Sequence, residues 1–426
     1  LQLGENNSQE ADLGSGDFVL ADNTDLVFYR NANNRIFTSQ SISGTGDVIF
    51  RGMSEGYYTF RTATYSGVLS HSGRTVVDLD DGGTWYQGTL WLEKDDVLSR
   101  NSVLDLQAGK IYTRNQTTDG LTIPGLTGNA GTCVTTDRED VQKWTIDVPD
   151  GESYTYAGRI GVDPDESGNR DNVSVTKSGD GTQTFSGNNA YSGSTTIDGG
   201  TLVAAHANAL GNGPITVHNG GKLAVASGIT FTRDFTLNPG GRLGGNGTFD
   251  PAATVTLPAG AALSPGMSAG TTTFATNITL DTGAVFEWEL ASYGVTAGTD
   301  SDLTVVTSTD NTLLFESGSL LTLDFIDGVA SPDARGDGDF WLADHSWLIA
   351  ETTEGATLID NGLVIAGSSS YGYGDFALHK SENQLWLDYA GIPEPSTLYT
   401  LIFAATVVYL RRGRGSRDSA TSNSSL

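Results

Sequence analysis

Cysteine is almost absent from this 426-residue chain, since Cys133 is the only one. A single cysteine excludes an internal disulfide, so packing and hydrogen bonds must stabilise the fold. Basic residues are also few: 23 lysines and arginines face 51 acidic residues, which gives a formal net charge of −28. This balance excludes the basic stripe that nucleic-acid binding requires, and it suits an extracellular body or one that binds cations.

Histidine is scarce as well. The chain has five histidines, and no two of them have the close spacing of metal ligands. We therefore predict turn or surface positions for all of them, namely His71, His206, His218, His345 and His379.

Apolar runs in residues 1–390 are short. Glycine takes their place, at 55 of 426 residues, which is nearly twice the usual ~7%. Short runs of valine, leucine, isoleucine and phenylalanine alternate with glycine, threonine, serine, asparagine and aspartate. This pattern, with a turn every few residues, predicts an all-β fold.

A repeat with a nearly constant period occupies the centre of the chain. Leu202, Leu223, Leu243 and Leu263 follow one another at intervals of 21, 20 and 20 residues. The first three each close a Gly-Gly-x-Leu sequence, and Gly260 precedes the fourth. Such a period, with turn glycines before a short apolar strand, is typical of a parallel β-solenoid. We predict that the leucines stack in the interior and that the glycines form corners with positive φ.

A longer repeat relates the N-terminal half to this centre. The sequence T-L-W-L at 89–92 corresponds to T-L-V-A at 201–204, at an offset of 112 residues. The same offset relates Gly-Lys at 109–110 to Gly-Lys at 221–222. Residues 43–172 are therefore predicted to form a degenerate copy of the central solenoid.

The central repeat is also similar to a known family. Residues 175–187 read V-T-K-S-G-D-G-T-Q-T-F-S-G, and residues 207–211 read A-N-A-L-G. Both resemble the autotransporter-associated β-strand repeat of bacterial surface proteins. The sequence L-S-P-G-M-S-A-G-T at 263–271 resembles an element that follows such repeats. The resemblance implies an exported, right-handed parallel β-helix and brings no catalytic residues.

The last 35 residues have a different character. They open with Pro393, Glu394, Pro395 and Ser396. Residues 398–410 are mostly apolar, and a helix over 396–410 would span ~22 Å, which falls short of the ~30 Å hydrocarbon core of a bilayer. A basic cluster follows, formed by Arg411, Arg412 and Arg414. Its charge predicts a cytoplasmic C-terminus by the positive-inside rule.

This order of motif, apolar segment and basic cluster resembles the PEP-CTERM sorting signal of Gram-negative bacteria. The resemblance implies a single C-terminal transmembrane helix and an intermediate anchored in the inner membrane. It further implies processing by an exosortase-type enzyme, after which the protein is at the cell surface or extracellular. A signal peptide is expected to precede Leu1.

Six parts of the chain are predicted from these features. They are 1–42, an N-terminal cap or leader; 43–172, the degenerate solenoid block; 173–290, the repeat solenoid; 291–390, the final coils and a β cap; 391–417, the sorting signal; and 418–426, a disordered tail.

One loop has the ligand spacing of a calcium site. Oxygen-bearing side chains at alternate positions, with glycine at 168, follow the spacing of an EF-hand-type loop. These residues are Asp163, Asp165, Ser167, Asn169 and Asp171. The twelfth position is Ser174 rather than glutamate, so a solvated acidic turn is the alternative. The turn at 78–83 is a second acidic candidate, and no other cofactor is predicted.

Aromatic residues are the predicted contacts with exopolysaccharide, because the faces of pyranose rings are apolar. The candidates are Tyr57, Tyr58, Trp85, Tyr86, Trp91, Tyr371 and Tyr373. For Trp91, burial in the core is the alternative, since it falls within a predicted strand.

The predicted function is that of a non-enzymatic surface or matrix protein. A carbohydrate-active β-helix enzyme is the alternative, and it would need clustered or paired acids. Equivalent positions in the central coils hold Asp198, Asn219 and Pro239, so no stacked acidic cluster is expected. An autotransporter passenger is disfavoured, because the C-terminal region has one apolar run rather than the many alternating strands of a translocator barrel.

Overall fold

The computed structural model describes most of the chain up to residue 391. The described residues are 2–3, 16–30, 40–52, 59–61, 68–79, 88–114, 119–136, 138–161, 171–333, 340–367, 369–371 and 373–391. Within these ranges the chain forms strands, together with one 3-10 helix at Phe340–Leu342. The prediction of an all-β fold is confirmed.

The strands are short and follow one another closely. In the N-terminal part they are β1 (Gln2–Leu3), β2 (Phe18–Leu20), β3 (Asp25–Arg30), β4 (Ile42–Gly44), β5 (Asp47–Gly52), β6 (Thr59–Arg61), β7 (Thr75–Leu79), β8 (Thr89–Leu92), β9 (Leu104–Ala108), β10 (Lys110–Thr113), β11 (Leu121–Ile123), β12 (Leu126–Gly128), β13 (Cys133–Thr136), β14 (Gln142–Asp147), β15 (Ser153–Tyr156) and β16 (Arg159–Ile160). In the centre they are β17 (Val173–Ser178), β18 (Thr182–Phe185), β19 (Thr195–Ile197), β20 (Gly200–Ala204), β21 (Ile215–Val217), β22 (Gly221–Val225), β23 (Thr230–Phe231), β24 (Thr236–Leu237), β25 (Arg242–Gly245), β26 (Thr248–Phe249), β27 (Val255–Leu257), β28 (Ala262–Pro265), β29 (Thr271–Phe274), β30 (Ile278–Leu280) and β31 (Val285–Leu290). The C-terminal strands are β32 (Leu303–Val306), β33 (Thr312–Phe315), β34 (Leu320–Phe325), β35 (His345–Thr352), β36 (Thr357–Asp360), β37 (Val364–Ile365), β38 (Ser370–Tyr371), β39 (Gly374–Ser381) and β40 (Gln384–Gly391).

Fifteen of the described strands form one continuous parallel sheet, here called the long sheet. Its order is β1-β3-β5-β7-β9-β12-β15-β18-β20-β22-β25-β28-β31-β34-β37. Strands that follow a long-sheet strand along the chain form the second face, and β39 and β40 extend it; its two sheets have the order β16-β13-β10-β8-β6 and β23-β26-β29-β32-β35-β40-β39-β38. Strands that precede the next long-sheet strand form the third face, in sheets of order β2-β4, β11-β14-β17-β19-β21-β24 and β27-β30-β33-β36.

The chain of one coil contributes strands to these faces in a fixed order. The chain passes from β25 in the long sheet to β26 on the second face and β27 on the third, and β28 then returns to the long sheet. Each long-sheet strand up to β34 pairs in parallel with the next strand of that sheet one coil later, as β25 does with β28. The parallel β-solenoid predicted from the central repeat is therefore the architecture of the described chain.

The interior of the long sheet carries the predicted leucine stack. The column runs through Leu202, Leu223, Leu243, Leu263 and Phe286, each paired in register with the next. All five side chains are fully buried. Burying a side chain of this size contributes ~1.5–3 kcal/mol, so a column repeated over many coils is a large part of what holds the solenoid together.

Glycines form the corner that leads into the long sheet, as predicted. Gly220, Gly240 and Gly260 have φ values of 88°, 80° and 81°, a conformation that costs ~1–2 kcal/mol for residues with a Cβ. The N–H of Gly220 donates to the Gly240 carbonyl at 3.0 Å, and the N–H of Gly240 donates to the Gly260 carbonyl at 2.9 Å. A Cβ on Gly240 would lie 2.1 Å from Oδ1 of Asn219. The corner is thus a ladder of backbone hydrogen bonds between glycines with positive φ, and at Gly240 it also leaves no room for a side chain.

The offset of 112 residues relates strands that lie on different faces. β8 pairs with β10 through Leu90 and Ile111, as β20 pairs with β22 through Leu202 and Leu223. However, β8 and β10 belong to the second face, whereas β20 and β22 belong to the long sheet. The N-terminal half therefore reproduces the register between coils but not the face on which these residues lie.

An antiparallel hairpin covers the C-terminal end of the solenoid. β35 pairs with β40, and β40 with β39, in antiparallel orientation, whereas β35 pairs in parallel with β32 of the preceding coil. Buried aromatic side chains pack together here. They are Trp288, Trp341, Trp347, Phe376 and Tyr389. This cap covers core and strand edge that an open solenoid would expose.

Candidate functional site

The predicted sorting signal lies outside the described residues. This applies to Pro393, Glu394, Pro395 and Ser396, and to Arg411, Arg412 and Arg414. In the part of the chain that the structure describes, no helix has the length and apolarity needed to cross a bilayer. The sorting signal and its transmembrane helix stay predictions from the sequence.

Most of the predicted calcium loop also lies outside the described residues. This applies to Asp163, Asp165, Ser167 and Asn169. Asp171 is described, and its backbone carbonyl accepts a hydrogen bond from the Ser192 amide at 2.8 Å. Calcium binding by this loop stays a prediction.

The second acidic turn is described only at its start. Asp78 is paired with Arg51, with 2.9 Å between Oδ2 and Nε. Across the described ranges, no three His, Cys, Asp or Glu side chains are grouped in a way that could hold a metal ion.

Trp91 is the predicted sugar contact that the structure places most clearly. It lies on the outward side of β8, between the buried Leu90 and Leu92. Its ring stacks on Tyr112 of the next coil, with 4.8 Å between centroids, and the guanidinium carbon of Arg114 lies 3.7 Å from its centroid. The Trp91 ring is therefore engaged by contacts within the protein.

Two of the other predicted aromatic contacts, Tyr371 and Tyr373, are described, and both are half-buried. Tyr371 is half-buried, and its ring packs edge-on against Phe376 of the cap. Four candidates lie outside the described residues, namely Tyr57, Tyr58, Trp85 and Tyr86.

The outer side of the long sheet carries a charged cluster. Lys222 and Arg242 are in register on neighbouring coils. The Lys222 ammonium donates to Ser264 Oγ at 3.2 Å and to the Gly266 carbonyl at 3.0 Å. Its side chain passes over Gly244, where a Cβ would lie 2.8 Å from the lysine Cε. A small residue on the intervening coil thus lets the lysine reach across the sheet.

Acidic residues of the following coils lie close to Lys222 and Arg242. The Nε of Arg242 lies 3.1 Å from both carboxylate oxygens of Glu287. Glu289 is paired in register with Asp324 one coil later. The sequence of the central coils led us to expect no stacked acidic residues. This expectation is wrong for the long sheet as a whole, because Glu289 and Asp324 stack in later coils.

Asp302 is fully buried near this cluster. Its carboxylate accepts hydrogen bonds from the amides of Gly270 at 3.0 Å and Glu289 at 3.1 Å. Burial raises the pKa of Asp302 to about 8, and the negative charge of Glu289 acts in the same direction. Because both carboxylate oxygens bind backbone amides, we assign Asp302 to holding the segment before β32 against its neighbours.

Ser346, His379 and Asp388 lie together on the cap without forming a catalytic triad. Ser346 Oγ donates to Asp388 Oδ1 at 2.5 Å, and His379 Nδ1 is bound to Asp388 Oδ2. An activated serine requires the histidine to lie between the serine and the carboxylate. Here the carboxylate lies between them, so the histidine does not act as a base on the serine.

Lys177 is a buried cation inside the central repeat. It lies at an inward position of β17, in register with Ile197, and its side chain is fully buried. Its ammonium donates to three backbone carbonyls, those of Ser178 at 2.6 Å, Gly179 at 2.7 Å and Gly199 at 3.1 Å. Burial lowers the pKa of Lys177 to about 8. The lysine thus supplies a donor to the Gly179 and Gly199 carbonyls at this corner and shares the Ser178 carbonyl with the Val148 amide, which donates to it at 3.0 Å.

His71 is buried as well, in an irregular segment before β7, so of the predicted turn or surface positions it does not take a surface one. Its Nε2 lies 3.1 Å from Thr75 Oγ1, which is 2.8 Å from Ser102 Oγ. Its Nδ1 has no hydrogen-bond partner among the described residues. Burial lowers the pKa of His71 to about 4, although the charge of Asp47 opposes the shift. The neutral imidazole is therefore the form that the fold accepts.

Of the two buried residues Lys177 and His71, only Lys177 had a feature in the sequence that indicated its burial. Strict alternation in β17 places Lys177 on the same side as Val173 and Val175, both of which are buried. This parity could have identified the lysine as an inward residue. His71 lies in an irregular segment just before β7, where no alternation indicates which way a side chain points.

Two comparisons with known proteins bear on the repeat. A family model described as passenger-associated-transport-repeat matches residues 175–204, which run from within β17 to the end of β20. The chain is also 36% identical over 93 residues to the adhesin BmaC autotransporter of Brucella suis biovar 1 (strain 1330). That alignment covers 22% of this chain and 2% of the adhesin. The resemblance to autotransporter-associated repeats is confirmed for these residues.

Replacing Lys177 with methionine tests the corner role of this lysine. The variant keeps a long buried side chain and removes all three hydrogen bonds. We expect the free energy of unfolding to fall by at least ~2 kcal/mol, because the Gly179 and Gly199 carbonyls lose this donor and each buried carbonyl left unsatisfied costs ~1–3 kcal/mol. Urea unfolding followed by circular dichroism measures the difference. The exposed Lys380→Met is the control and should change stability by less than ~0.5 kcal/mol. Equal stabilities of the two variants would contradict the role.

Acid should weaken the coil that contains His71. The pKa of His71 is about 4 in the folded chain, against 6.5 for an unperturbed histidine. Its contribution to stability is therefore fully present above pH 6.5 and is lost as the pH falls from 6.5 to 4. We expect the native protein to lose ~3 kcal/mol more than His71→Gln across this window. Denaturant titrations of both proteins at several pH values measure the difference, and parallel pH profiles would overturn the assignment.

Proposed function

We propose that this chain is the elongated body of an exported, non-enzymatic bacterial protein of the cell surface or extracellular matrix. The observation that carries the proposal is the position of the matched repeat in the fold. Residues 175–204 contain two successive strands of the third face and two of the long sheet, which pair in register with each other and with the coils before and after them. Stacked coils of this kind build length and display three outer faces, as a spacer or adhesive module requires.

The similarity to an autotransporter adhesin supports a surface location. The acidic charge of the chain disfavours association between copies and with other polyanions. We include association with exopolysaccharide in the proposal, with the outer faces as the contact surface. The body would act among polysaccharide chains as a spacer or matrix component.

Two finer features of the proposal rest on general rules and on the sequence. The coils are right-handed, because parallel crossover connections are right-handed in ~98% of cases. The tail is a PEP-CTERM-type signal that anchors an inner-membrane intermediate and is processed by an exosortase-type enzyme near Pro393–Ser396.

A carbohydrate-active enzyme is the second candidate, and the acids of the long sheet favour it. Glu289 is stacked on Asp324, and burial raises the pKa of Glu289, as a general acid would need. Turnover of polysaccharide by the purified protein, abolished by Glu289→Gln, would establish this function and refute the structural one.

Surface exposure is the direct test of export. We expect antibodies against residues 173–290 to label intact cells or the surrounding matrix, because the body lies outside the cell envelope. Protease added to intact cells should degrade the protein while a cytoplasmic protein of the same cells survives. Protection of both proteins until the cells are lysed would contradict export.

A further inference from the structure

The third face carries a row of threonines in six consecutive coils. Each lies at the outward position of its strand and is paired in register with the next. The threonine row consists of Thr122, Thr145, Thr176, Thr196, Thr216 and Thr236. Their strand neighbours point inwards, as the buried Ile197 and Val217 show. Thr256 and Thr279 form a further in-register pair on the same face.

The hydroxyl groups of the threonine row have no partners within the described protein. All six side chains are half-buried or exposed, and no hydrogen bond of their hydroxyls to any described residue is present. The polar side chains two positions further on behave differently. Ser178 donates to Asp147 at 2.8 Å, and the side chains of Asn238 and His218 are bonded at 2.9 Å. The side chains of the neighbouring row thus form hydrogen bonds between coils, whereas the hydroxyl groups of the threonine row keep their donors and acceptors available.

The solenoid fixes the spacing of the threonine row. Paired strands lie ~4.7–4.9 Å apart, so six coils place one hydroxyl and one methyl group at each step of a row ~24 Å long. β-Branching restricts χ1 of threonine, so the groups are held in place before a ligand arrives. A row of identical groups favours a ligand that is itself periodic, because each further match adds a contact within the same complex.

Charge narrows the class of ligand. The threonine row is neutral, but Asp147 and Asp198 lie beside it, two residues after Thr145 and Thr196, and Asp281 has the same place beside Thr279 of the further pair. With a net charge of −28 on the chain, nucleic acids and acidic polysaccharides are repelled. A neutral polysaccharide meets no such repulsion. Its sugar units repeat hydroxyl and C–H groups, which are complementary to the hydroxyl and methyl groups of threonine.

We propose that the threonine row is a binding track for an extended neutral polysaccharide. This rests on the proposed association with exopolysaccharide and identifies its contact surface and the class of glycan. The sugar hydroxyls bond to the free threonine hydroxyls, and the sugar C–H groups pack on the methyl groups. Aromatic stacking is not required, which agrees with the engaged ring of Trp91.

The test compares the native chain with two triple variants. The row variant carries Thr176→Val, Thr196→Val and Thr216→Val, which remove three hydroxyls and keep the β-branched shape that strands favour. The control variant carries Thr182→Val, Thr184→Val and Thr201→Val, which lie on the long sheet in neighbouring coils. Binding is measured by co-sedimentation with cellulose and by affinity electrophoresis in soluble neutral glucans, with alginate as the anionic comparison.

We expect the native chain and the control variant to bind neutral glucan equally. The row variant should bind at least about tenfold more weakly, because three hydrogen bonds are lost at once. Thermal unfolding checks that both variants are folded. If the row variant is unstable, Thr196→Lys in the middle of the row replaces it and should weaken binding to the same extent or more.

The remaining outcomes separate this proposal from the broader one. Equal binding by all three proteins overturns the assignment of the threonine row and leaves the association with exopolysaccharide standing. Binding to alginate alone overturns the neutral class of ligand. A native chain that binds none of these polysaccharides overturns the binding track and removes the support for exopolysaccharide association.

Discussion

The register between successive coils is the constraint on which the rest of this structure depends. In a parallel solenoid each residue lies beside its counterpart one coil earlier, so every side chain meets a column of equivalents. Apolar residues in such columns form the core, as Leu223 and Leu243 do. The corner glycines repeat for the same reason, since Gly220, Gly240 and Gly260 are joined by backbone hydrogen bonds. Where the column faces outwards, the same rule turns a single polar residue into a regular row.

Buried polar groups mark the places where this rule is broken. Lys177 replaces an aliphatic residue in an inward column and compensates for its desolvation with three hydrogen bonds to carbonyls. Asp302 lies just before β32 and binds two amides. His71 belongs to an irregular segment before β7 and lacks a partner for one ring nitrogen. The first two are satisfied and hold neighbouring segments together, whereas we expect the third to make its coil sensitive to acid.

The regular part of the fold could be predicted from the sequence because its signals are local and periodic. The interval between Leu202 and Leu223 sets the length of a coil, and Gly220 with Gly240 sets its corner. The face on which 89–92 lies could not be predicted, because the same T-L-x-L pattern suits an inward-facing column on any face. The stacking of Glu289 on Asp324 also escaped, since 35 residues separate them and no fixed period applies there. Most of the predicted calcium loop and the sorting motif lie outside the described residues and are untested.

The most direct test of coil stacking is a set of distances along one outward column of the long sheet. Thr182 and Arg242 are three coils apart in this column, and Thr182 and Val285 are five coils apart. Spin labels at these positions, in a Cys133→Ser background, allow the distances to be measured by pulsed electron paramagnetic resonance. In-register stacking predicts backbone separations of ~14 Å and ~24 Å, which is one strand spacing for each coil. Separations that do not rise with the number of coils would contradict the solenoid.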